Sequence, residues 1–149
     1  MVKFRVEGLK ELEEALKEFN TATARNIGRR ALREAGEPIA RAARADAPRD
    51  SHALAESIDV STRLSKRQAA MHKKFTKDAV EVFVGPGQHP QAHLREFGGD
   101  GYTPHPYLRP AWDSQKQMAL TILVNDLKVE IDKSAARARR KALKASGGV

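Results

Sequence analysis

The chain has 149 residues, 40% hydrophobic and only 5% aromatic, so one domain is expected, with a modest core built mainly from Leu, Ile, Val and Ala. Lys and Arg number 27 against 19 Asp and Glu, a net charge of +8, with a pI of about 10.0; this balance suits nucleic acid or an acidic protein surface as a neighbour, or serves solubility alone. The absence of cysteine excludes a disulfide framework or thiolate metal site and fits a reducing cytoplasm, no apolar run approaches the roughly 20 residues of a membrane span, and the first residues lack the apolar block of a signal peptide.

Val2, Phe4 and Val6 alternate with Lys3, Arg5 and Glu7, the period of a half-buried strand. Gly8 ends it and can cap a helix in which Leu9, Leu12, Leu16 and Phe19 recur at spacings of three and four. Glu11, Glu13 and Glu14 fall in its early turns, where the helix dipole favours negative charge. Thr21 or Thr23 is placed to cap a second helix reaching about Asp46. Its narrow stripe of Ile27, Ala31, Ala35, Ile39 and Ala43 predicts close packing against a neighbour. Pro38 is expected to kink this helix, and Ala47-Pro48 to stop it.

Ile58, Val60 and Thr62 alternate with polar residues, as do Val80, Val82 and Val84, with Gly85-Pro86-Gly87 ending the second run. The two runs pair most simply as a long antiparallel hairpin. Between them the chain is basic, with Arg63, Lys66, Arg67, Lys73, Lys74 and Lys77 and no acid until Asp78. Such a connection is either a projecting loop with a short helix or a functional arm. Gln91 to Phe97 reads as a short helix closed by Gly98-Gly99, and Gly98 through Gly101 as a flexible loop. Pro106 and Pro110 frame the start of the last helix, with Pro110 at or near its first position.

Trp112, Ala119, Ile122, Leu123, Leu127 and Ile131 give the last helix its stripe, and it can run to about Ala145. From Lys133 to Lys144 it carries six basic residues (Lys133, Arg137, Arg139, Arg140, Lys141, Lys144), no acid and almost no apolar face. This part is a solvated extension, a fraying tail or an arm ordered by a partner. Residues 1–132 are therefore expected to form a single α+β domain, and 133–149 a basic helical extension or flexible tail.

The segments Leu94-Arg95-Glu96-Phe97-Gly98 and Pro106-Tyr107-Leu108-Arg109-Pro110-Ala111-Trp112 carry the strongest signal. Leu94, Phe97, Tyr107, Leu108 and Trp112 can form one apolar cluster joining the short helix to the last one. Glu96 and Arg109 are the natural ion pair; the alternative is that one of them contacts a partner. His89, His93 and His105 near Glu96 raise the question of zinc, but Pro90 puts His89 outside the short helix, and loop histidines are the default reading. Catalysis has no support: there is no Cys nucleophile, no Gly-x-Ser-x-Gly elbow and no phosphate loop, and nothing calls for a cofactor.

The order of these segments resembles the tail-completion family of tailed bacteriophages, the head–tail joining or neck proteins also called minor tail components. The family pattern runs His-Leu-x-Glu-Phe-Gly, a variable loop, then Pro-Phe/Tyr-Leu-Arg-Pro-Ala. Ala47-Pro48 through Ser57-Ile58 is similar to the family's Ala-Pro-x-x-(Ser/Thr)-Gly-x-Leu-x-x-Ser-Ile, except that His52 stands where glycine is usual, so a different local turn is expected. The resemblance implies an α+β fold: a small antiparallel sheet with a long hairpin, packed by N-terminal helices and a long C-terminal helix. It implies a structural virion protein, assembled in the host cytoplasm, that completes the tail end or neck and joins tail to DNA-filled head. Such proteins form rings, commonly sixfold, against connector, tail-terminator or tail-tube proteins. On this reading Arg63, Lys66, Arg67, Lys73, Lys74, Lys77, Arg137, Arg139, Arg140 and Lys141 are the candidates to face a partner or genomic DNA, through phosphate without sequence reading. The competing class is a free, basic, non-sequence-specific DNA-binding protein, which the charge balance fits equally well.

Overall fold

The computed structural model describes residues 8–49, 52–74 and 79–147. The alternating run from Val2 to Val6 and the basic residue Lys77 lie outside them. Helix α1 (Leu9–Lys17) is followed by α2 (Thr21–Asp46), whose first turn is capped by Asn20: its side-chain oxygen accepts the Thr23 N–H at 2.8 Å. The cap is thus one residue earlier than Thr21. Asn20 is the last residue with extended backbone, and its carboxamide reaches the third free N–H as well as a hydroxyl would. α2 continues through Pro38 and stops at Asp46, where Ala47 is extended, as steric conflict with the following Pro48 requires.

Short helix α3 (Ala53–Ser57) leads directly into strand β1 (Ile58–Ser61). His52, just before α3, has φ of 54°. The turn keeps the left-handed conformation that glycine would adopt there, and the imidazole-bearing residue carries the strain. The connection that follows contains α4 (Lys66–Met71), opened by a reciprocal capping box between Ser65 and Gln68. Strand β2 (Phe83–Pro86) returns antiparallel, pairing Ile58 with Pro86, Asp59 with Gly85, Val60 with Val84 and Ser61 with Phe83. β2 begins later than Val80 and takes in Gly85 and Pro86 rather than ending before them. Pro86 is tolerated because it lies at the end of a strand with an open edge, where no ladder N–H is lost. α5 (Ala92–Phe97) and α6 (Leu108–Ala145) complete an α+β fold. At 38 residues, α6 is roughly 57 Å long.

α2 and α6 run antiparallel and form the spine. At one end Ile27 and Ala31 of α2 meet Val124, Leu127 and Ile131 of α6, with Leu12 of α1 laid across them. At the other, Ala40, Ala43 and Ala47 meet Tyr107 and Ala111, together with Leu54, Ile58 and Val60 from α3 and β1. The alanines bring the backbones close, as their small volume allows. Gly36 is where the sheet touches α2: a Cβ there would lie 3.0 Å from methyl groups of both Val60 and Val84. Arg30 of α2 and Glu130 of α6 form an ion pair at 2.8 Å across the spine.

Candidate functional site

The N-terminus of α6 has the usual free N–H groups, and its cap residue, Tyr107, supplies no side-chain acceptor. The acceptor comes from another helix. Glu96, at the second-last position of α5, turns its carboxylate onto the start of α6 and is only 2% exposed. One oxygen accepts the N–H groups of Tyr107 at 2.8 Å and Leu108 at 2.9 Å. The other accepts the N–H of Arg109 at 2.9 Å and its Nε at 3.0 Å. These four donors saturate the carboxylate. Arg109 returns a further bond, from Nη2 to the Glu96 carbonyl at 2.7 Å. A full negative charge at a helix N-terminus also meets the positive end of the helix dipole.

Burial alone would raise the Glu96 pKa, but the N–H groups of Leu108, Tyr107 and Arg109 and the Arg109 guanidinium outweigh it and hold the carboxyl below its ordinary range. Beside it the Tyr107 phenol is fully buried and donates to the Ala92 carbonyl at 3.2 Å. Burial, and then the Glu96 charge, push its pKa up to about 12. The loop between the helices is short and tied. Gly98 closes α5 with φ of 77° and ψ of −177°, a region open only to glycine, and a Cβ there would lie 3.0 Å from Pro104 Cδ. Gly99 and Tyr102 exchange both backbone bonds across the Gly98–Gly101 turn, and the His105 N–H donates to the Arg95 carbonyl at 2.7 Å.

The expected apolar cluster divides. Tyr107 is buried and Leu94 and Leu108 are half-buried, but Phe97 is 66% and Trp112 56% exposed. For Trp112 the reason is that the buried face of α6 winds around the helix. Ala111 and Leu127 are both buried, yet lie about 160° apart on an ideal helical wheel. The partner elements change along the helix, and no fixed stripe describes it. Trp112 points away from the core, Phe97 and the half-exposed Tyr102 are open to solvent as well, and the Arg109 guanidinium sits 4.9 Å from the Phe97 ring centre. Pro106 and Pro110 are exposed on either side.

Of the histidines, His93 and His105 are exposed, and Glu96 has both oxygens occupied by α6. Among the described residues no group of three His, Cys, Asp or Glu is placed to hold a metal ion. No described helix is long and apolar enough to cross a membrane.

The basic candidates fall in two places. Arg63, Lys66, Arg67, Lys73 and Lys74 are exposed around α4. There His72 anchors the connection to the sheet, with Nε2 2.8 Å from Glu81 and the ring edge-on to Phe83. Arg137, Arg140 and Lys141 join Lys144 around one shallow concavity at the end of α6. Arg139 lies about 100° away from Arg140 around the helix.

A family model described as "Bacteriophage HK97-gp10, putative tail-component" matches residues 10–98, more than half of the chain. The chain belongs to this HK97-gp10-like family. No curated protein and no solved structure matches it. The matched stretch takes in α1 through α5 and ends at Gly98, so Glu96 lies inside it while its partners on α6 lie beyond it. The family is described as one of phage tail components, and the saturated Glu96 carboxylate has the environment of a structural group.

Proposed function

We propose that this protein is a structural subunit that completes the tail end or neck of a tailed-phage particle and joins the tail to the DNA-filled head. Its subunits form a ring, six-fold symmetry being favoured, that contacts connector, tail-terminator or tail-tube proteins; its place is the virion, after assembly in the host cytoplasm. Membership of the HK97-gp10-like family carries this reading.

The exposure of Phe97, Tyr102, Arg109 and Trp112 supports it. Trp, Tyr and Arg are the residue types that dominate binding energy at protein interfaces. Arg109 is already held by Glu96 and stacked on Phe97, so little side-chain freedom is left to lose on contact. A ring repeats one head-to-tail contact whose rotation closes. Assembly then follows from burial of such anchors and from charge complementarity, without chemical turnover.

The test is genetic and physical together. Removal of the gene from its phage should leave separate full heads and tails, and addition of the purified protein should restore joining. Normal particles from the deletion would overturn the reading. Trp112→Ala should keep the fold by circular dichroism and abolish both ring formation, seen by light scattering and electron microscopy, and the restored joining.

A further inference from the structure

We propose that the C-terminal end of α6 is a binding face for the sugar–phosphate backbone of duplex DNA, with Arg137, Arg140, Lys141 and Lys144 as the contacting residues. The four occupy positions i, i+3, i+4 and i+7, one stripe of a helix. They line a common shallow concavity and are exposed. None makes an ion pair or side-chain hydrogen bond with another described residue, whereas Arg30, Arg44 and Arg109 are each spent on a partner within the fold. The segment from Lys133 to Gly147 contains no acid to offset them.

The chemistry of the stripe selects its ligand. It extends about 10 Å along the helix axis, which is the rise of about three phosphates on one DNA strand. It has no aromatic side chain on which an unpaired base could stack, which disfavours single strands. It also lacks the apolar centre of a protein interface, where lysine is depleted. Leu143 is the only large apolar residue from 133 to 147. With no group aimed to read base edges, the contact is to phosphate and is independent of sequence. The inference does not depend on the ring, because it rests on one helix face of one chain.

The experiment measures binding of the full chain to a labelled 30-base-pair duplex by fluorescence anisotropy between 50 and 300 mM salt. Two variants of equal charge are compared. One carries Arg137→Gln, Arg140→Gln, Lys141→Gln and Lys144→Gln; the other carries Arg63→Gln, Lys66→Gln, Arg67→Gln and Lys73→Gln. Glutamine is a good helix former, and circular dichroism checks that helix content is kept. Loss of four phosphate contacts should lower the slope of log affinity against log salt by about 3 to 4. The first variant should show this drop and at least a hundredfold weaker binding at low salt, and the second less than a tenfold change.

Equal losses in the two variants would mean that net charge alone binds DNA and would overturn the proposal, as would an unchanged slope in the first. Polyglutamate bound as tightly as the duplex, and released by the same four substitutions, would identify an acidic protein surface instead and would also overturn it. Light scattering on the same samples reads the ring separately: a wild-type monomer that shows the expected slope change defeats the ring and leaves this face standing.

Discussion

The two ends of α6 solve opposite problems. At the N-terminal end, the carboxylate and the phenol that packing removes from water are both given partners: Glu96 takes three backbone N–H groups and the Arg109 guanidinium, and Tyr107 reaches Ala92. At the C-terminal end, four cations on one face have no described partner, and no described residue buries that part of the helix. One end is therefore fixed by the fold, and the other is open to whatever neighbour the particle provides. Charge at the first end is structural, because low solvent access magnifies each hydrogen bond and the penalty for losing one. Charge at the second is screened and contributes little to folding.

That contrast can be broken most strongly at Glu96. Glu96→Ala leaves three backbone donors and a guanidinium without their acceptor, and should cost about 3–5 kcal/mol in urea unfolding. Glu96→Gln should cost less, about 1.5–3 kcal/mol, since one carbonyl oxygen still accepts while its amide faces donors. A double-mutant cycle of Glu96→Gln with Arg109→Lys should show clear coupling; additive effects would remove the pair from the account.

Next in size is the closing turn of α5. Gly98→Ala forces a side chain into a glycine-only backbone region and against Pro104, and should cost about 1–3 kcal/mol by the same assay. Gly36→Val should cost a similar amount, about 1–3 kcal/mol, by overpacking the contact with Val60 and Val84.

Stability at the N-terminal end of α6 depends on pH in both directions. The Glu96 pKa is lowered in the folded state, so its contribution is present above the ordinary carboxylate range and is lost as pH falls through the lowered value. Glu96→Gln should flatten that acid limb. The Tyr107 pKa is raised to about 12, so its contribution is complete below the ordinary value of 10.0 and is lost as pH rises from there through about 12. Tyr107→Phe should remove this alkaline loss and cost about 1 kcal/mol at neutral pH for the bond to Ala92.

The smallest effect is expected at the other end of the helix. Changing Arg137, Arg140, Lys141 and Lys144 to glutamine should alter unfolding free energy by less than about 0.5 kcal/mol. A large loss would show that this end is part of the folded core after all.

Much of the element order could be read from the sequence, but helix α3 could not. Periodicity placed α1, α2 and α6, and the end points Asp46 and Ala145 follow from Ala47-Pro48 and from the run of helix formers. The pairing of β1 with β2 and the proximity of Glu96 to Arg109 were also readable, because each depends on residues close in sequence or on a recognisable spacing, whereas the basic connection stayed open between a loop with a short helix and an arm until α4 was seen. Tertiary structure alone decided what these residues do. It gave Glu96 three backbone donors that no side-chain pattern can display. It moved the buried face of α6 from Ala111 to Leu127 as the neighbouring elements changed, and so left Trp112 outside, while Tyr107 went in. Local sequence encodes which conformation a segment prefers, but burial is a property of what lies opposite, and only the assembled fold supplies that.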